Sequence, residues 1–434
     1  MRIAVIGSGI AGNAAAWALT TSSGHDVTVY ERASRLGGHS ATVDVDYDGH
    51  PIAVDTGFIV YNELNYPNLT QLFAHLGVET EASDMSFSVS ARGGAFEWSG
   101  RTDNVLDGLF ARRRNIVSPG YLRMLGEMFR FNRRAILDRA AGRLASLSLG
   151  DYLAREGYSN RFRDDYLVPM GAAIWSTPAE QMLRFPAESF VNFFENHRLL
   201  HWNRPVWRTV KGGSRNYVSK LTAAFAHKVR LACGATRITR DDFGVTVEDA
   251  GGGCERYDQV VIAAHSDEAL ALLGDASPHE QAVLGAIGYR PNDVWLHRDA
   301  SLMPRRKAAW AAWNVRRSQD VDAEICVTYW MNALQPSIER RHPLFVTLNP
   351  PEPPRADLVF GRYNYAHPQY DGPALAAQLE VPALQGERRT WFCGAWTGYG
   401  FHEDGLASGL RVAESLGAVV PWRLSDRRLV AAAE

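Results

Sequence analysis

The chain has 434 residues, 46% of them hydrophobic and 22% charged, and a formal net charge of −2. That length exceeds what one hydrophobic core sustains, so two domains are expected, and the near-neutral charge argues against a general nucleic-acid binder. No apolar run reaches the roughly 20 residues needed to span a bilayer, and Cys233, Cys254, Cys326 and Cys393 have no Cys-x-x-Cys spacing, which argues against a metal site or disulfide framework and for a reducing compartment.

At the N-terminus "MRIAVIGSG" leads directly into a strand, without the basic and apolar regions of a secretory signal. The run Arg2 to Ile6 is short, apolar and β-branched, as a strand buried on both faces requires. It feeds Gly7, Ser8, Gly9, Ile10, Ala11 and Gly12, then an alanine-rich helix. Gly7 permits a tight turn, Gly9 lets backbone approach a pyrophosphate, and Gly12 lets the helix pack close to the strand. The helix N-terminus offers free N–H groups and a positive dipole end. A second strand, "DVTVYE", ends at Glu31, whose carboxylate suits ribose hydroxyls; Arg32 follows. A lone G-x-G-x-x-G is weak evidence, but strand, glycines, helix, strand and acid in register are strong evidence for a dinucleotide site.

Gly37-Gly38-His39-Ser40 comes next, a double glycine that NAD binding does not need. "VDTGFIVYN" reads as another strand and turn, containing Thr56, Gly57 and Phe58. Tyr61 and Tyr66, like Met170 and Trp175 further on, either line a pocket or pack a core. The stretch 110–144 sets nine arginines, Arg112 to Arg143, against only Glu127 and Asp138, with Leu122, Leu125, Met128, Phe129 and Ile136 near helical spacing. Such a segment either lies on an anionic membrane or is a solvated helix packed on its own domain.

A glycine pair and helix follow from Gly212 to Ala226, then strand, meander, strand and helix through "KVRLACGATRI", "GVTVED" and "DQVVIAAHSDEALALL". The last block, "WFCGAWTGYGFHEDGLASGL", runs from an apolar strand through Gly394, Ala395, Trp396 and Tyr399. It continues with His402, Glu403 and Asp404, then a small-residue helix from Gly405 and Leu406. The ordinary pKa of His402 suits proton transfer near neutral pH, whereas a structural histidine held by Asp404 is the plainer alternative. Asp404 also suits a helix N-cap.

The double-glycine loop resembles the flavin-binding signature of the amine oxidase and phytoene desaturase superfamily. "GGHSATV", "YPNLTQLFAHLGV", "DMSFSVS", "YLVPMGAAIWSTP", "GYGFHEDGL" and "HPQYDGPALAAQ" resemble more closely the flavoprotein domain fused to plant cyclopropane-fatty-acyl-phospholipid synthases and its free-standing bacterial relatives. The resemblance implies an α/β chain with an α+β second domain. It implies FAD, held non-covalently, on a Rossmann-like domain of the glutathione-reductase type split over 1–74, 206–279 and 386–420. The interleaved substrate domain of mixed sheet and helices is 75–205 and 280–385, and 421–434 is a tail. FAD contacts are implied for residues 7–12, Glu31, Arg32, residues 37–40, residues 56–58, Ala235, Gly394, Ala395, Asp404, Gly405 and Leu406. Ala235 matches the adenine position, Gly57 a backbone position beside the flavin, and Trp396 and Tyr399 its aromatic wall.

The function implied is a desaturase of phospholipid-linked, methylated fatty acyl chains on the way to furan fatty acids, with a base drawn from His402, Glu403 or Asp404. It implies a fatty acyl phospholipid as substrate, an acyl-chain methyltransferase as partner, and a cytoplasmic protein peripheral to the inner membrane face; a nucleic-acid partner is not expected. Two other readings stand beside it: an oxidase of a small amine, and a non-redox isomerase or partner of the methyltransferase. Amine oxidases commonly place a lysine near the flavin N5, but the neighbours of Lys307, "MPRRKAAWAAWN", do not match that pattern.

Overall fold

Five short parallel strands, drawn from widely separated stretches of chain, form the first sheet, in the order Val229–Arg230, Asp26–Tyr30, Arg2–Ile6, Gln259–Ile262, Thr390–Phe392. The computed structural model describes residues 1–101, 104–201, 203, 205–317 and 325–423; of the expected tail, 424–434 lie outside the described residues. Alternate strand residues enter two different cores. Ile3, Val5, Val27, Val29 and Val261 pack on one side, and Ala4, Ile6, Val260, Ile262 and Phe392 on the other. A parallel sheet covered on both faces needs such unbroken apolar strands.

On the first side lie the helices Ile10–Ser22, Pro67–Leu76 and His402–Ser415. The helix Ile10–Ser22 is buried all round from Ile10 to Leu19, which explains its alanine-rich sequence. On the second side the meander Ala235–Asp241, Gly244–Asp249, Cys254–Tyr257 packs with the helices Ser266–Leu272, Pro278–Gly285 and Gly372–Leu384.

The second large sheet has seven strands, in the order Val359–Pro368, Tyr289–His297, Phe345–Leu348, Cys326–Trp330, Trp313–Arg317, Phe87–Ala91, Phe96–Ser99. Only the Trp313–Arg317 and Phe87–Ala91 pair is parallel. One face is apolar, with Val89, Val294, Leu296, Val315, Val327 and Val346 buried against the helices Pro119–Ala140, Val168–Trp175 and Ala187–Asn196. The other face is polar but internally paired. Ser88 donates to Asn314 at 2.8 Å, and Thr347 meets Thr328 at 2.9 Å and His297 at 2.7 Å. Among the described residues no helix is long and apolar enough to cross a membrane.

One buried ion pair ties the meander to its neighbouring helix. The Arg240 side chain is fully buried and donates to both Glu280 oxygens, at 2.5 and 2.9 Å, and to Asp275 at 2.9 Å. Glu280 also caps its own helix, accepting from the Ser277 N–H at 2.8 Å. Removing one partner strands a buried charge, so Glu280→Ala should lower stability by about 3–5 kcal/mol in urea unfolding. Replacing both partners, Arg240→Met with Glu280→Leu, should recover part of that loss; a single variant as stable as wild type would refute the assignment.

Candidate active site

The glycine loop opens as the first strand ends. Gly7 has a φ of +98°, and a Cβ there would lie 2.9 Å from the Ala263 carbonyl oxygen. Gly9 is the opposite case, because a Cβ there would meet nothing within 4 Å. Gly38 closes the far side, where its Cβ would lie 3.0 Å from the Gly9 Cα. The helix Ile10–Ser22 starts at this opening with no side-chain cap and no acid in its first turn. Its N–H groups and dipole end are therefore free to face an anion.

Glu31 is buried and accepts from the Ser8 N–H at 2.9 Å, the Ser8 hydroxyl at 2.6 Å and the Ala33 N–H at 2.7 Å. A carboxylate has about four lone-pair sites, so one acceptor position is left for a ribose hydroxyl. Arg32 turns outward to pair with Glu268 at 2.7 Å and remains exposed, away from this groove. The loop is held instead by Arg35, which the sequence did not single out; it donates to the Gly38 and Ser40 carbonyls at 2.8 and 3.3 Å. Ala235 opens the meander strand. An open space over a helix N-terminus, beside a buried carboxylate with one site to spare, fits a dinucleotide such as FAD.

The next two loops lie against each other. A Cβ on Gly57 would be 2.1 Å from the His39 carbonyl oxygen, which accepts the Phe58 N–H at 2.8 Å, and Thr56 donates to the Ala41 carbonyl at 2.9 Å. Asp55, just before them, is buried and accepts from Thr42 at 2.6 Å, the Ser214 N–H at 2.9 Å, the Ser214 hydroxyl at 2.7 Å and Gln335 at 3.1 Å. Burial outweighs these bonds and pushes its carboxyl up to about 6. Gly394 and Ala395 end the last strand. The Gly394 N–H donates to Ser408 at 2.9 Å, and a Cβ on Gly405 would lie 2.8 Å from Ile10. Two helix N-termini thus converge, with Leu406 buried behind them.

The three residues expected to supply a base are committed to local structure. The His402 ring stacks on Phe58, with centroids 3.8 Å apart, and its Nε2 meets the Tyr217 hydroxyl at 2.6 Å. Ser40 hydrogen-bonds Tyr217 in turn and sits 3.3 Å from His402. Burial pushes the His402 imidazole down to about 3, so it is neutral. Glu403 caps the helix Pro67–Leu76, accepting from the Asn68 and Leu69 N–H groups at 2.9 and 3.0 Å. Asp404 folds the loop back by accepting from the Tyr399 and Phe401 N–H groups at 3.1 and 2.9 Å. Burial raises both carboxyls, Asp404 to about 6.

One expectation needs correction. Trp396 does not join an aromatic wall with Tyr399: it is buried in the core behind the five-stranded sheet, its indole N–H donating to the Ala264 carbonyl at 3.1 Å. Tyr61 and Tyr66 belong to a different core from Met170 and Trp175. They pack with Phe73 and Trp207 beside the helix Pro67–Leu76. Aromatic residues fill any core, and their spacing along the chain carried no sign of which core.

Met170 and Trp175 do pack in one aromatic cluster with Phe193, Tyr370, Tyr399 and Phe401. The Trp175 and Phe193 rings lie 4.6 Å apart, and Phe193 and Phe401 stack at 5.1 Å. Tyr399 accepts from Asn192 at 2.9 Å. Both the Trp175 indole N–H and the Tyr370 hydroxyl are buried without a partner. Beside this cluster is a histidine group that sequence reasoning missed. His39 lies 5.1 Å from Tyr365, 6.0 Å from His367 and 6.1 Å from His265, and its Nε2 is a buried atom without a partner. His367 meets Ser176 at 3.0 Å and His265 lies flat on Tyr289 at 4.4 Å. Burial, then mutual repulsion, holds His39 down to about 3 and His367 to about 4. "HPQY" and "AAHSDEAL" carried these residues without any spacing that would join them.

The sequence matches the family described as flavin containing amine oxidoreductase over residues 10–295. Putrescine oxidase bound to putrescine has a similar structure, with a TM-score of 0.70 at 15% identity over 96% of this chain and 99% of that one. A CLA-producing fatty acid isomerase from P. acnes gives 0.67 at 14% identity over 96% and 99%. Cyclohexylamine oxidase from Brevibacterium oxydans IH-35A gives 0.65 at 17% over 96% and 98%. At these identities the likeness shows the fold alone. No curated protein sequence matches the chain.

The buried titratable groups set a pH dependence. His39, His197, His265, His297, His367 and His402 all have depressed pKa values, so below about 6.5 the unfolded chain binds protons that the folded one refuses. Asp55 and Asp404, raised by burial to about 6, act in the opposite direction between their ordinary values and that point, and Glu403, also raised by burial, acts in the same sense as these two. Six groups outweigh three, so the urea midpoint of the flavin-free protein should fall as pH is lowered from about 6.5 towards 4. A midpoint that holds or rises would overturn this balance.

Proposed function

Because the chain belongs to the flavin containing amine oxidoreductase family and is an FAD-dependent oxidoreductase, we propose that its substrate is a fatty acyl chain, methylated and phospholipid-linked, which it desaturates. The observation that carries this reading is the aromatic, apolar cluster around Trp175, whose buried indole N–H is unpartnered and can only donate. An ester or carboxylate oxygen satisfies that donor and an ammonium does not, while the unpartnered Tyr370 hydroxyl can pair with either. Glu403 and Asp404, the acids of the adjoining loop, accept from backbone N–H groups. Lys307 is exposed, in the short turn Lys307–Ala309, so it does not supply the lysine of an amine oxidase.

We assign FAD to residues 7–12, Glu31, residues 37–40 and 56–58, Ala235, Gly394, Ala395, Gly405 and Leu406, on a glutathione-reductase-type half made of 1–74, 206–279 and 386–420. When bound, FAD supplies the acceptor for a hydride from an acyl carbon. The chain's own part is to enclose and orient the acyl chain between Met170, Trp175, Phe193 and Phe401, and to keep water out. A carbon left electron-poor makes the adjacent C–H strongly acidic, so a weak base suffices. His39 Nε2, neutral and unpartnered, is our candidate for it in place of His402.

The fold neighbour that isomerises a fatty acid favours a second reading, isomerisation without net redox change. Anaerobic mixing of the flavin-loaded protein with methylated and unmethylated phospholipids separates the readings. Desaturation should bleach the flavin and remove two hydrogens from the acyl chain. An acyl product of unchanged mass with no lasting bleaching would replace it with the isomerase, and bleaching by amines but by no lipid would sink both. Trp175→Phe, which removes an unsatisfied buried donor, should raise KM for the lipid without lowering Tm.

A further inference from the structure

Fourteen large hydrophobic residues of the described structure are exposed, and seven of them fall between Val105 and Leu137. The helix Pro119–Ala140 explains part of this concentration. Its inward stripe, Tyr121, Met124, Glu127, Phe131, Ala135 and Asp138, is buried. On the opposite side Leu122, Phe129 and Leu137 are 45, 53 and 54% exposed. Their separations of seven and eight residues put them on one face of an α-helix. Ile116 and Val117, in the turn leading into this helix, are 48 and 77% exposed.

The arginines are better compensated than the sequence suggests. Glu156, Glu195 and Asp107 join Glu127 and Asp138 as partners, at 3.7, 2.7 and 2.9 Å from Arg134, Arg139 and Arg113. Glu127 and Asp138 are buried, yet Arg123 and Arg134, paired with them at 3.0 Å, keep 63 and 48% of their side chains exposed. Arg130 lies over the Tyr158 ring at 4.1 Å. Arg114 and Arg133 are exposed, with no acidic partner among the described residues. The acids are thus drawn inward and the cations left outward, interleaved with apolar side chains.

We propose that this face docks on an anionic lipid bilayer, with Ile116, Val117, Leu122, Phe129 and Leu137 entering the interface and the arginines meeting headgroup phosphates. A second copy is the poorer occupant, because a two-fold contact would bring the same uncompensated arginines face to face. The position suits the lipid reading above, although the surface argument does not depend on it. The other face of this helix packs towards Ala187–Asn196, whose Phe193 belongs to the aromatic cluster. Arg139 donates to Asn192 at 3.1 Å, and Asn192 donates to Tyr399 at 2.9 Å. The docking face is therefore one helix layer from that cluster.

The test is sedimentation of the flavin-loaded protein with vesicles of phosphatidylcholine alone, or of phosphatidylcholine mixed with phosphatidylglycerol. Binding should need the anionic lipid and weaken with salt. Arg114→Gln with Arg133→Gln should reduce it about 25-fold, since each basic residue near the surface contributes about 1 kcal/mol, or roughly five-fold. Leu122→Ser with Phe129→Ser should reduce it at least as much while flavin content and urea midpoint stay unchanged. No binding, or binding indifferent to both pairs of substitutions, overturns the proposal. So does self-association without vesicles that Phe129→Ser abolishes. Vesicle binding without turnover of any lipid would sink the substrate reading and leave this one standing, and turnover of detergent-dispersed lipid without vesicle binding would do the reverse.

Discussion

Everything near the candidate site depends on the backbone-close contact between two helices that start about 400 residues apart in sequence. A Cβ on Gly409 would sit 2.1 Å from the Ala11 carbonyl oxygen, and one on Gly12 would sit 2.0 Å from the Gly7 carbonyl oxygen. No side chain fits at either place, so the helix His402–Ser415 lies directly on Ile10–Ser22, and that helix directly on its own strand. This contact brings both N-termini to the same edge of the five-stranded sheet. It also fixes where the preceding loop can go. With Gly405 against Ile10, Glu403 reaches the N-terminus of Pro67–Leu76, and Asp404 draws the N–H groups of Tyr399 and Phe401 towards itself. The Tyr399 and Phe401 rings are left packed on Phe193.

The electrostatics follow from the same closeness. The titratable groups around this contact are buried, so desolvation disfavours their charged forms. Imidazoles are pushed down and carboxyls up, and hydrogen bonds supply what ion pairs would otherwise give. Asp55 is the clearest case: a buried carboxyl served by Thr42, Ser214 and Gln335, which belong to three stretches of chain. It joins the double-glycine region to the Gly212–Gly213 turn without a buried cation. Buried charge is paired elsewhere, in Arg240 with Glu280, and exposed charge is concentrated in the basic helix.

The parts legible in the sequence were those whose meaning is local. Gly7, Gly9 and Gly12 constrain backbone within a few residues, and the strand-glycine-helix-strand order states their purpose without reference to distant chain. His402 was different. What decides its behaviour is Phe58 and Tyr217, 344 and 185 residues away, and nothing in "GFHEDG" announces them. Trp396 and Tyr399 are three residues apart, yet they face different cores because the chain turns sharply between them. His39, His265 and His367 were invisible as a group for the same reason. The basic helix misled in another way, since its pattern was read correctly as amphipathic while Glu156 and Glu195, which neutralise part of it, come from neighbouring helices.

A fold shared by proteins named for amines and for a fatty acid cannot itself select the substrate. The loops assigned above to the cofactor come mainly from the two ends of the chain. On the proposed reading selection falls to the aromatic cluster, to which the helices Val168–Trp175 and Ala187–Asn196 and the strand Val359–Pro368 contribute. There the deciding quantity is the direction in which unsatisfied groups point. Glu403 and Asp404 carry the only acids in the loop, and both are turned to backbone donors; Trp175 keeps a donor with nothing to accept it. A buried donor left unpaired destabilises by about 1–3 kcal/mol, and a substrate bearing an acceptor oxygen removes that penalty on binding. An amine offers Trp175 no acceptor, which is the physical reason for preferring a lipid here.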